Sequence, residues 1–292
     1  MRKRSELVEI VRKARGYGLH PALFTNGIKA TRDLLSELAN AGLNDVAFHV
    51  DLTQERKGYK TEMELNEVRE EYIERAKDLG ITILFNTTLH NENYHEVPDL
   101  VRFFIKHSEH VRMASFQVQA DTGRGELRKR EDVITIEGIE NKINEGCNKD
   151  LSWDVFLIGH PDCNRFAPTF VSDGKVFNVI EDKQLFADFL EDFRHITIDR
   201  RDNLFKIAAP FLKAGIKNPN WLLRGAKFIG NHLWDARKEL IKTKGKFSKI
   251  TFFIHNFMDA DNLECDRVDT CSFMVMTEDG PMSMCAHNAK RD

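Results

Sequence analysis

The feature that most constrains the fold is a series of four apolar runs, each followed at once by polar or glycine-rich residues. The runs lie within residues 20–27, 44–51, 81–93 and 111–125. Their starts are roughly 25 to 37 residues apart and helical patterns fill the gaps, which is the spacing of βα units. Unbroken apolar runs are typical of parallel strands that are buried on both faces. The first half of the chain is therefore predicted to be α/β with a parallel sheet.

The polar residues at the ends of these runs form one candidate site. The carboxyl ends of parallel strands meet at one edge of a sheet, and ligands bind there in α/β folds. The alternative, more common for any single residue, is that a strand end is polar because it meets water. The candidates are Thr25, Asn26, His49, Asp51, Thr88, Asn91, Asn93, Gln117 and Gln119. The fourth run continues into residues 121–125, where Arg124 and two glycines indicate either an anion-binding loop or a plain tight turn.

Composition limits the kinds of partner. The chain has 292 residues, of which 41% are hydrophobic and 30% are charged, as in an ordinary soluble globular protein. A net charge of −3 gives no electrostatic reason to expect a nucleic-acid partner. No apolar run approaches the roughly 18 residues of a membrane span. Five cysteines, an odd number spread over a long chain, suit a reducing compartment, so a cytoplasmic protein is predicted.

The second half of the chain has a different pattern. A charged connection with a short helix at 136–143 leads to an apolar run at 153–158, predicted to be a strand, and then to the segment Gly159-His160-Pro161-Asp162-Cys163. A hairpin signal at 170–180 precedes three helical patterns between 182 and 242. We expect the aromatic stripes of these helices, which include Trp221, Phe228 and Trp234, to be core. A further strand is predicted at 250–254, followed by a hairpin at 273–284.

Three cysteines of the second half could act together. If residues 277–280 form the turn of the last hairpin, Cys271 and Cys285 face each other within about 5.5 Å. Such a pair could bind a metal or a cluster, or could be two small hydrophobic residues. Cys163 is a plausible third ligand, and His160 or His287 nearby would suit a zinc or iron–sulfur site. Cys147 and Cys265 are assigned no role.

The ordered segments resemble the radical S-adenosylmethionine (radical SAM) superfamily. Thr25-Asn26-Gly27 matches the TNG at the tip of that family's third strand, and VAFHVDL resembles its fourth strand. ILFNTTLHNEN and FQVQADTGR resemble the fifth and sixth strands of the branch that contains tetraether lipid synthase and hydroxymethylpterin methyltransferase. That branch also has an HPxC-type segment and a hairpin flanked by cysteines. The resemblance covers most of the chain.

The resemblance implies an incomplete parallel (βα) barrel over residues 1–126, lacking the first two units, and a C-terminal α+β accessory region over residues 127–292. The CxxxCxxC loop that holds the family's [4Fe–4S] cluster is not in this sequence. The expectation is therefore a fragment, an internally started reading frame or, less simply, a degenerate relative that is inactive alone.

The resemblance also implies a chemistry. The intact enzyme would reduce S-adenosylmethionine to a 5′-deoxyadenosyl radical and alkylate or couple carbon centres of a lipid or pterin-like substrate, as a transferase supplied with electrons by a ferredoxin or flavodoxin. Asn26, His49, Thr88 and Gln117 would contact the cofactor. An auxiliary iron–sulfur cluster would be held by Cys163, Cys271 and Cys285.

Two alternatives remain open from the sequence. One is a barrel enzyme that binds zinc or manganese through His49, His90, His160 and His255. The other is a non-catalytic remnant that binds a partner chain through an unfilled edge of its sheet.

Overall fold

The computed structural model describes residues 4–121, 134–155, 157–198 and 203–290. The strands are β1 Ala22–Thr25, β2 Asp45–His49, β3 Thr82–Leu89, β4 Val111–Val118, β5 Asn164–Ser172, β6 Lys175–Asn178, β7 Ser248–Asn256, β8 Met274–Thr277 and β9 Gly280–Ser283. The helices are α1 Arg4–Gly16, α2 Arg32–Ala41, α3 Asn66–Ala76, α4 Val97–Lys106, α5 Ile136–Cys147, α6 Lys183–Phe193, α7 Leu204–Lys217, α8 Pro219–Asp235, α9 Arg237–Lys242, α10 Cys265–Asp269 and α11 Met284–Ala289.

One seven-stranded sheet organises the molecule, in the order β1-β2-β3-β4-β7-β5-β6. The first five of these strands are parallel, and β5 and β6 complete the sheet as antiparallel neighbours. The predicted α/β class and the four predicted parallel strands are confirmed. The strand predicted at 250–254 is β7, and it lies beside β4. Five parallel strands therefore end at one edge of the sheet.

The two faces of the sheet have different neighbours because successive side chains of a strand point to opposite sides. On one face Phe48, Phe85, Phe116 and Phe252 join the main buried cluster with side chains of α3, α4 and α5. Helix α5 lies close to α4 at Gly146, where a Cβ atom would be 2.6 Å from Cβ of Val101. The other face carries Ala47, Leu84 and Met113, which line a cavity.

The barrel predicted from the resemblance is not confirmed. Among the described residues the sheet is open, with β1 at one edge and β6 at the other. The predicted boundary between residues 126 and 127 falls outside the described residues and stays a prediction. Strands β5, β6 and β7, all C-terminal to that boundary, continue the same sheet as β1 to β4.

The strand predicted at 153–158 is wrong for its described residues, 153–155 and 157–158, which have no strand pairing. Hydrogen bonds that involve side chains hold this part of the chain in place. The amide of Ser152 donates to Oδ1 of Asn178 at 3.2 Å, and the indole of Trp153 donates to Oδ1 of Asn144 at 3.2 Å. This apolar run therefore packs against α5 as irregular chain.

The expected aromatic core of the last helices is confirmed only in part. Four helices, α6 to α9, lie in the described parts of residues 183–242, and Trp221 packs against Phe193 with ring centroids 5.0 Å apart, but no residue of α8 is fully buried. Trp234 is 67% exposed. Among the helices that the structure describes, none combines the length and the apolar character that a membrane crossing requires.

Candidate active site

A cavity of about 680 Å³ lies on the face of the sheet opposite α3, α4 and α5, at the carboxyl ends of the parallel strands. Its walls come from β1, β2, β3, β4, β5 and β7 and from C-terminal segments that include residues 271–273 and 284–285. Of the four predicted cofactor residues, Asn26, His49 and Gln117 line this cavity. Thr88 is buried, and its Oγ1 lies 3.1 Å from Nε2 of His49.

His49 and Asp51 form an ion pair at the end of β2. The Nε2 of His49 donates to Oδ2 of Asp51 at 2.6 Å. Desolvation lowers the pKa of His49, but the hydrogen bond and the charge of Asp51 outweigh it, so the pKa lies above its ordinary value. The contact with Asp51 thus favours the protonated form of the His49 imidazole, which lines the cavity.

Asp51 is fully buried and is fixed by its surroundings. Its Oδ2 accepts the amide of Thr88 at 2.7 Å, and its Oδ1 accepts the amide and hydroxyl of Thr53 at 3.1 and 2.6 Å. Burial raises the pKa of Asp51, but the contacts with His49, Thr53 and Thr88 overcome this and lower it. A carboxylate with this many donors stays ionised and orients the imidazole.

A row of polar side chains crosses the cavity wall on β3 and β4. The hydroxyl of Ser115 donates to Oδ1 of Asn86 at 2.8 Å, and Nδ2 of Asn86 donates to Oε1 of Gln117 at 3.3 Å. Sequence reasoning found Gln117 but missed Asn86 and Ser115. Their signal was the two-residue period of polar side chains inside otherwise apolar strands.

His255 faces the same cavity at the end of β7, in register with Gln117. Burial lowers its pKa to about 4, so its imidazole is neutral near pH 7. Its ring lies 4.0 Å from the ring of Phe257 and 5.0 Å from that of Phe273, measured between centroids. The surroundings therefore shift the pKa values of the two cavity histidines in opposite directions, up for His49 and down for His255.

The Thr25-Asn26-Gly27 loop is held against α3. The Oη of Tyr72 donates to the carbonyl of Asn26 at 3.2 Å, and Nη2 of Arg56 donates to the same oxygen at 2.6 Å. Gly27 has a φ of +78°, and a Cβ atom there would lie 2.0 Å from the ring of Tyr72. The backbone of the loop is thus fixed, with the side chain of Asn26 at the cavity wall.

The three predicted cysteine ligands all line this cavity, although they come from three separate segments. Each sulfur accepts a hydrogen bond at 3.4 Å: Cys163 from Nε of Arg267, Cys271 from the amide of Phe273, and Cys285 from the amide of Met258. Such donors stabilise a thiolate and are the outer contacts expected around a bound cluster. Desolvation and the neighbouring Cys271 and Cys163 raise the pKa of the Cys285 thiol against the opposing amide.

The predicted facing of Cys271 and Cys285 needs correction. The turn at 277–280 is confirmed, because Thr277 pairs with Gly280. The ladder pairs Met274 with Ser283, however, and Cys271 lies three residues before Met274 whereas Cys285 lies two after Ser283. The two cysteines are therefore one residue out of register, and Cys285 lies in α11.

Within the described ranges, no group of three or more His, Cys, Asp or Glu side chains is arranged to hold a single metal ion. His49, His160 and His255 line the cavity, but they do not converge as the zinc or manganese alternative requires, and His90 is not in its wall. The ligands of a four-iron cluster bind different iron atoms, so cysteines for a cluster need not meet at one point.

The other candidates have local roles or lie elsewhere. Asn93 is buried and donates to Glu62 and to the carbonyl of Thr88, so it supports the loops behind the site. Cys147 is buried in α5, where desolvation raises its pKa to about 12, and Cys265 is exposed. Residues 122–125 of the predicted anion-binding loop lie outside the described residues. No three cysteines of this chain have the CxxxCxxC spacing, so its residues do not fit the family's reducing cluster.

Comparison with known proteins gives a family match for the first part of the chain. Residues 2–104 match the family model described as the Radical SAM superfamily. This segment carries Asn26, His49 and Thr88, whereas Gln117 and the three cysteines lie beyond it. The predicted resemblance is confirmed at the level of the superfamily for these residues.

Two curated relatives share the segment. The chain is 32% identical over 104 residues to the PqqA peptide cyclase of Bradyrhizobium diazoefficiens, and 29% identical over 105 residues to that of Methylorubrum populi. Each alignment covers 35% of this chain and 27% of the relative, so the chain spans about a quarter of the length of these relatives. Together the matches relate residues 2–104 to the Radical SAM superfamily.

Proposed function

We propose that this chain forms the cofactor- and substrate-binding part of a radical SAM enzyme. The observation that carries the proposal is that Cys163, Cys271 and Cys285 share one cavity with the polar ends of the parallel strands. The cysteines come from the second half of the chain and the ends of β1 to β4 from the first half, yet one space brings them together. The family match of residues 2–104 supports the same function independently.

The polar wall of the cavity suits S-adenosylmethionine. His49 would bind the carboxylate of its methionyl group, because the buried Asp51 carboxylate favours the protonated form of the imidazole. Gln117 and Asn26 would take its amine and ribose hydroxyls, and Thr88 would hold His49 in place. When S-adenosylmethionine is reduced it supplies a 5′-deoxyadenosyl radical that abstracts hydrogen from unactivated carbon. Because no CxxxCxxC spacing is present, we assign no step of that cleavage to this chain.

The three cysteines would hold an auxiliary iron–sulfur cluster. Its place beside the strand ends would let the cluster carry electrons or position the substrate. A ferredoxin or flavodoxin would be the external electron donor. The three N–H donors aimed at the sulfur atoms would tune the potential of such a cluster.

The substrate would occupy the part of the cavity between Phe166, Phe253 and Phe273, which gives it an aromatic wall. A lipid chain or a pterin-like ring, alkylated or coupled at a carbon centre, would fit such a surface. The name of the relatives favours a second candidate, a peptide substrate. The test is to give the active complex a deuterium-labelled lipid, pterin or peptide and to measure deuterium in the 5′-deoxyadenosine formed. The compound that transfers its label is the substrate.

The cofactor site can be tested by titrating the anaerobic, reconstituted chain with S-adenosylmethionine in a calorimeter. We expect saturable binding that weakens about tenfold in His49→Ala or Gln117→Ala, the loss typical of a charged or buried hydrogen bond. Asn40→Ala, an exposed change on α2, is the matched control and should leave binding unchanged. Absence of binding to the wild type, or equal binding in all three variants, would show that the cofactor does not use this wall.

A further inference from the structure

We propose that helices α7 and α8 bind the surface of a lipid bilayer with anionic headgroups. This inference does not depend on the proposed function. Its starting point is the exposure of large apolar side chains that folded chains normally bury. Phe205, Ile216, Leu223 and Trp234 are 86, 73, 70 and 67% exposed. Exposed apolar groups in this number on two adjoining helices mark an interaction surface.

The apolar and basic residues of α7 lie side by side. Phe205, Leu212 and Ile216 are spaced by seven and four residues, so they share one face of the helix. Lys206 and Lys213, also seven residues apart, lie one position further round and are exposed as well. An apolar stripe bordered by lysines is the pattern of a helix that lies in a membrane interface.

Helix α8 also carries exposed apolar and basic residues, which share one face of the helix. Leu223, Lys227 and Trp234 are spaced by four and seven residues and are all exposed. Tryptophan is enriched at the headgroup level of bilayers, where its ring is partly apolar and partly polar. The two helices adjoin, since a Cβ atom at Gly215 of α7 would lie 2.6 Å from Cδ2 of Leu222 of α8.

The positive charge around α7 and α8 favours anionic lipid as the partner of this surface. Residues 203–246 contain ten Lys or Arg and two Asp or Glu, although the whole chain has a net charge of −3. Some of these cations have acidic partners, as in the pairs Arg224–Asp188 and Lys242–Asp173. The remaining local excess of positive charge is attracted to anionic lipid at about 1 kcal/mol per residue. A nucleic acid would satisfy the charge but would leave Phe205, Leu223 and Trp234 in water.

An apolar cavity of about 510 Å³ lies behind these helices, between α6, α7 and α8. Six aromatic side chains line it: Phe186, Phe189, Phe193, Phe211, Trp221 and Phe228. Arg224 lies at its wall, 4.5 Å from the ring of Trp221. The interior of the helical region can therefore take up apolar groups that the helices meet at the bilayer.

The experiment is sedimentation of the full chain with vesicles. One set is phosphatidylcholine alone, and in the other about a third of the lipid is phosphatidylglycerol. We expect binding to the second set, with a blue shift of tryptophan fluorescence, and weak binding to the first. The double variant Leu223→Ser with Trp234→Ser should bind at least about tenfold more weakly, because two buried apolar side chains are lost.

Matched controls separate this surface from the rest of the molecule. Tyr17→Ser with Met276→Ser removes two equally exposed apolar groups elsewhere and should bind as the wild type does. Lys213→Glu with Lys227→Glu should lose binding, whereas Lys29→Glu with Lys60→Glu, an equal change of charge at exposed sites elsewhere, should retain most of it.

Three results would overturn the proposal. The wild type could fail to sediment with anionic vesicles. Binding could depend on Lys213 and Lys227 but not on Leu223 and Trp234, which would indicate a general polyanion site such as one for RNA. Ultracentrifugation without lipid could show a dimer that the serine variant converts to a monomer, in which case a second copy of the chain covers the surface.

Discussion

Asp51 and His49 lie two residues apart at the end of β2, and their side chains meet at 2.6 Å with the carboxylate buried and the imidazole at the cavity wall. The backbone is still extended at Asp51, with φ −158° and ψ 176°, and side chains two residues apart in an extended segment point to one side. A buried acid thereby raises the pKa of a residue that faces the site.

The first prediction concerns the charge of His49. Its pKa in the folded protein should lie above 6.5, and Asp51→Asn should lower it, since desolvation then acts without the opposing charge. NMR titration of the His49 ring measures both values. The same pKa in wild type and variant would show that Asp51 does not control the ring.

This shift also fixes how stability depends on pH. Because the folded pKa of His49 is raised, its contribution to stability is fully present below 6.5 and is lost as pH rises through the folded pKa. The free energy of unfolding of the wild type should fall in that range relative to His49→Gln. Urea denaturation at a series of pH values measures it, and parallel curves for the two proteins would contradict the ion pair.

The second prediction concerns Arg69, whose side chain is fully buried under the loop that follows β2. Its guanidinium donates to Oε2 of Glu62 at 2.5 Å, to the carbonyl of Glu62 at 2.6 Å and to the carbonyl of Val50 at 2.7 Å. Arg69→Met should destabilise the protein by about 3–5 kcal/mol, because the Glu62 charge is left buried and unpaired. Arg102→Met, which removes an exposed pair with Asp99, should cost less than about 1 kcal/mol. Equal losses in denaturant titrations would refute the role of this network.

The third prediction concerns Gly27 in the Thr25-Asn26-Gly27 loop. Gly27→Ala and Gly58→Ala both place a side chain at positive φ, +78° and +93°, but only the first meets another residue. The ring of Tyr72 is buried between Phe48 and Arg75, so it cannot move aside cheaply. Gly27→Ala should therefore be less stable than Gly58→Ala by about 1–3 kcal/mol, the usual cost of overpacking. Thermal denaturation compares the two, and identical midpoints would argue against a fixed loop.

The parallel half of the fold could be predicted because its signal is local. Each strand is an apolar run that ends in a polar residue, and helix α2 has its own caps, Thr31 before it and Gly42 after it. The two hairpins, β5–β6 and β8–β9, could also be predicted, from the residues of their turns. The position of β7 beside β4 could not be predicted, because the two strands are more than a hundred residues apart and neither sequence indicates its partner.

The errors arise where hydrophobic spacing does not decide the surroundings of a segment. Residues 153–158 look like a strand, but the described ones have no strand partner, and Trp153 is fixed by the hydrogen bond from its indole to Asn144. The stripe that contains Trp234 looks like core, and hydrophobic spacing alone cannot tell a buried face from one that meets a partner. In the site, His49 and Gln117 were found because they end strands, whereas Asn86 was missed because it lies inside one.

The most direct test is the iron content of the chain after anaerobic reconstitution with iron and sulfide, with EPR spectra of the reduced protein. We predict roughly four iron atoms per chain and a cluster signal. Both should be lost in Cys163→Ala and Cys271→Ala but retained in Cys265→Ala, whose exposed thiol lies outside the cavity wall. A wild type without iron, or a Cys271→Ala variant with as much iron as the wild type, would contradict a cluster held by Cys163, Cys271 and Cys285.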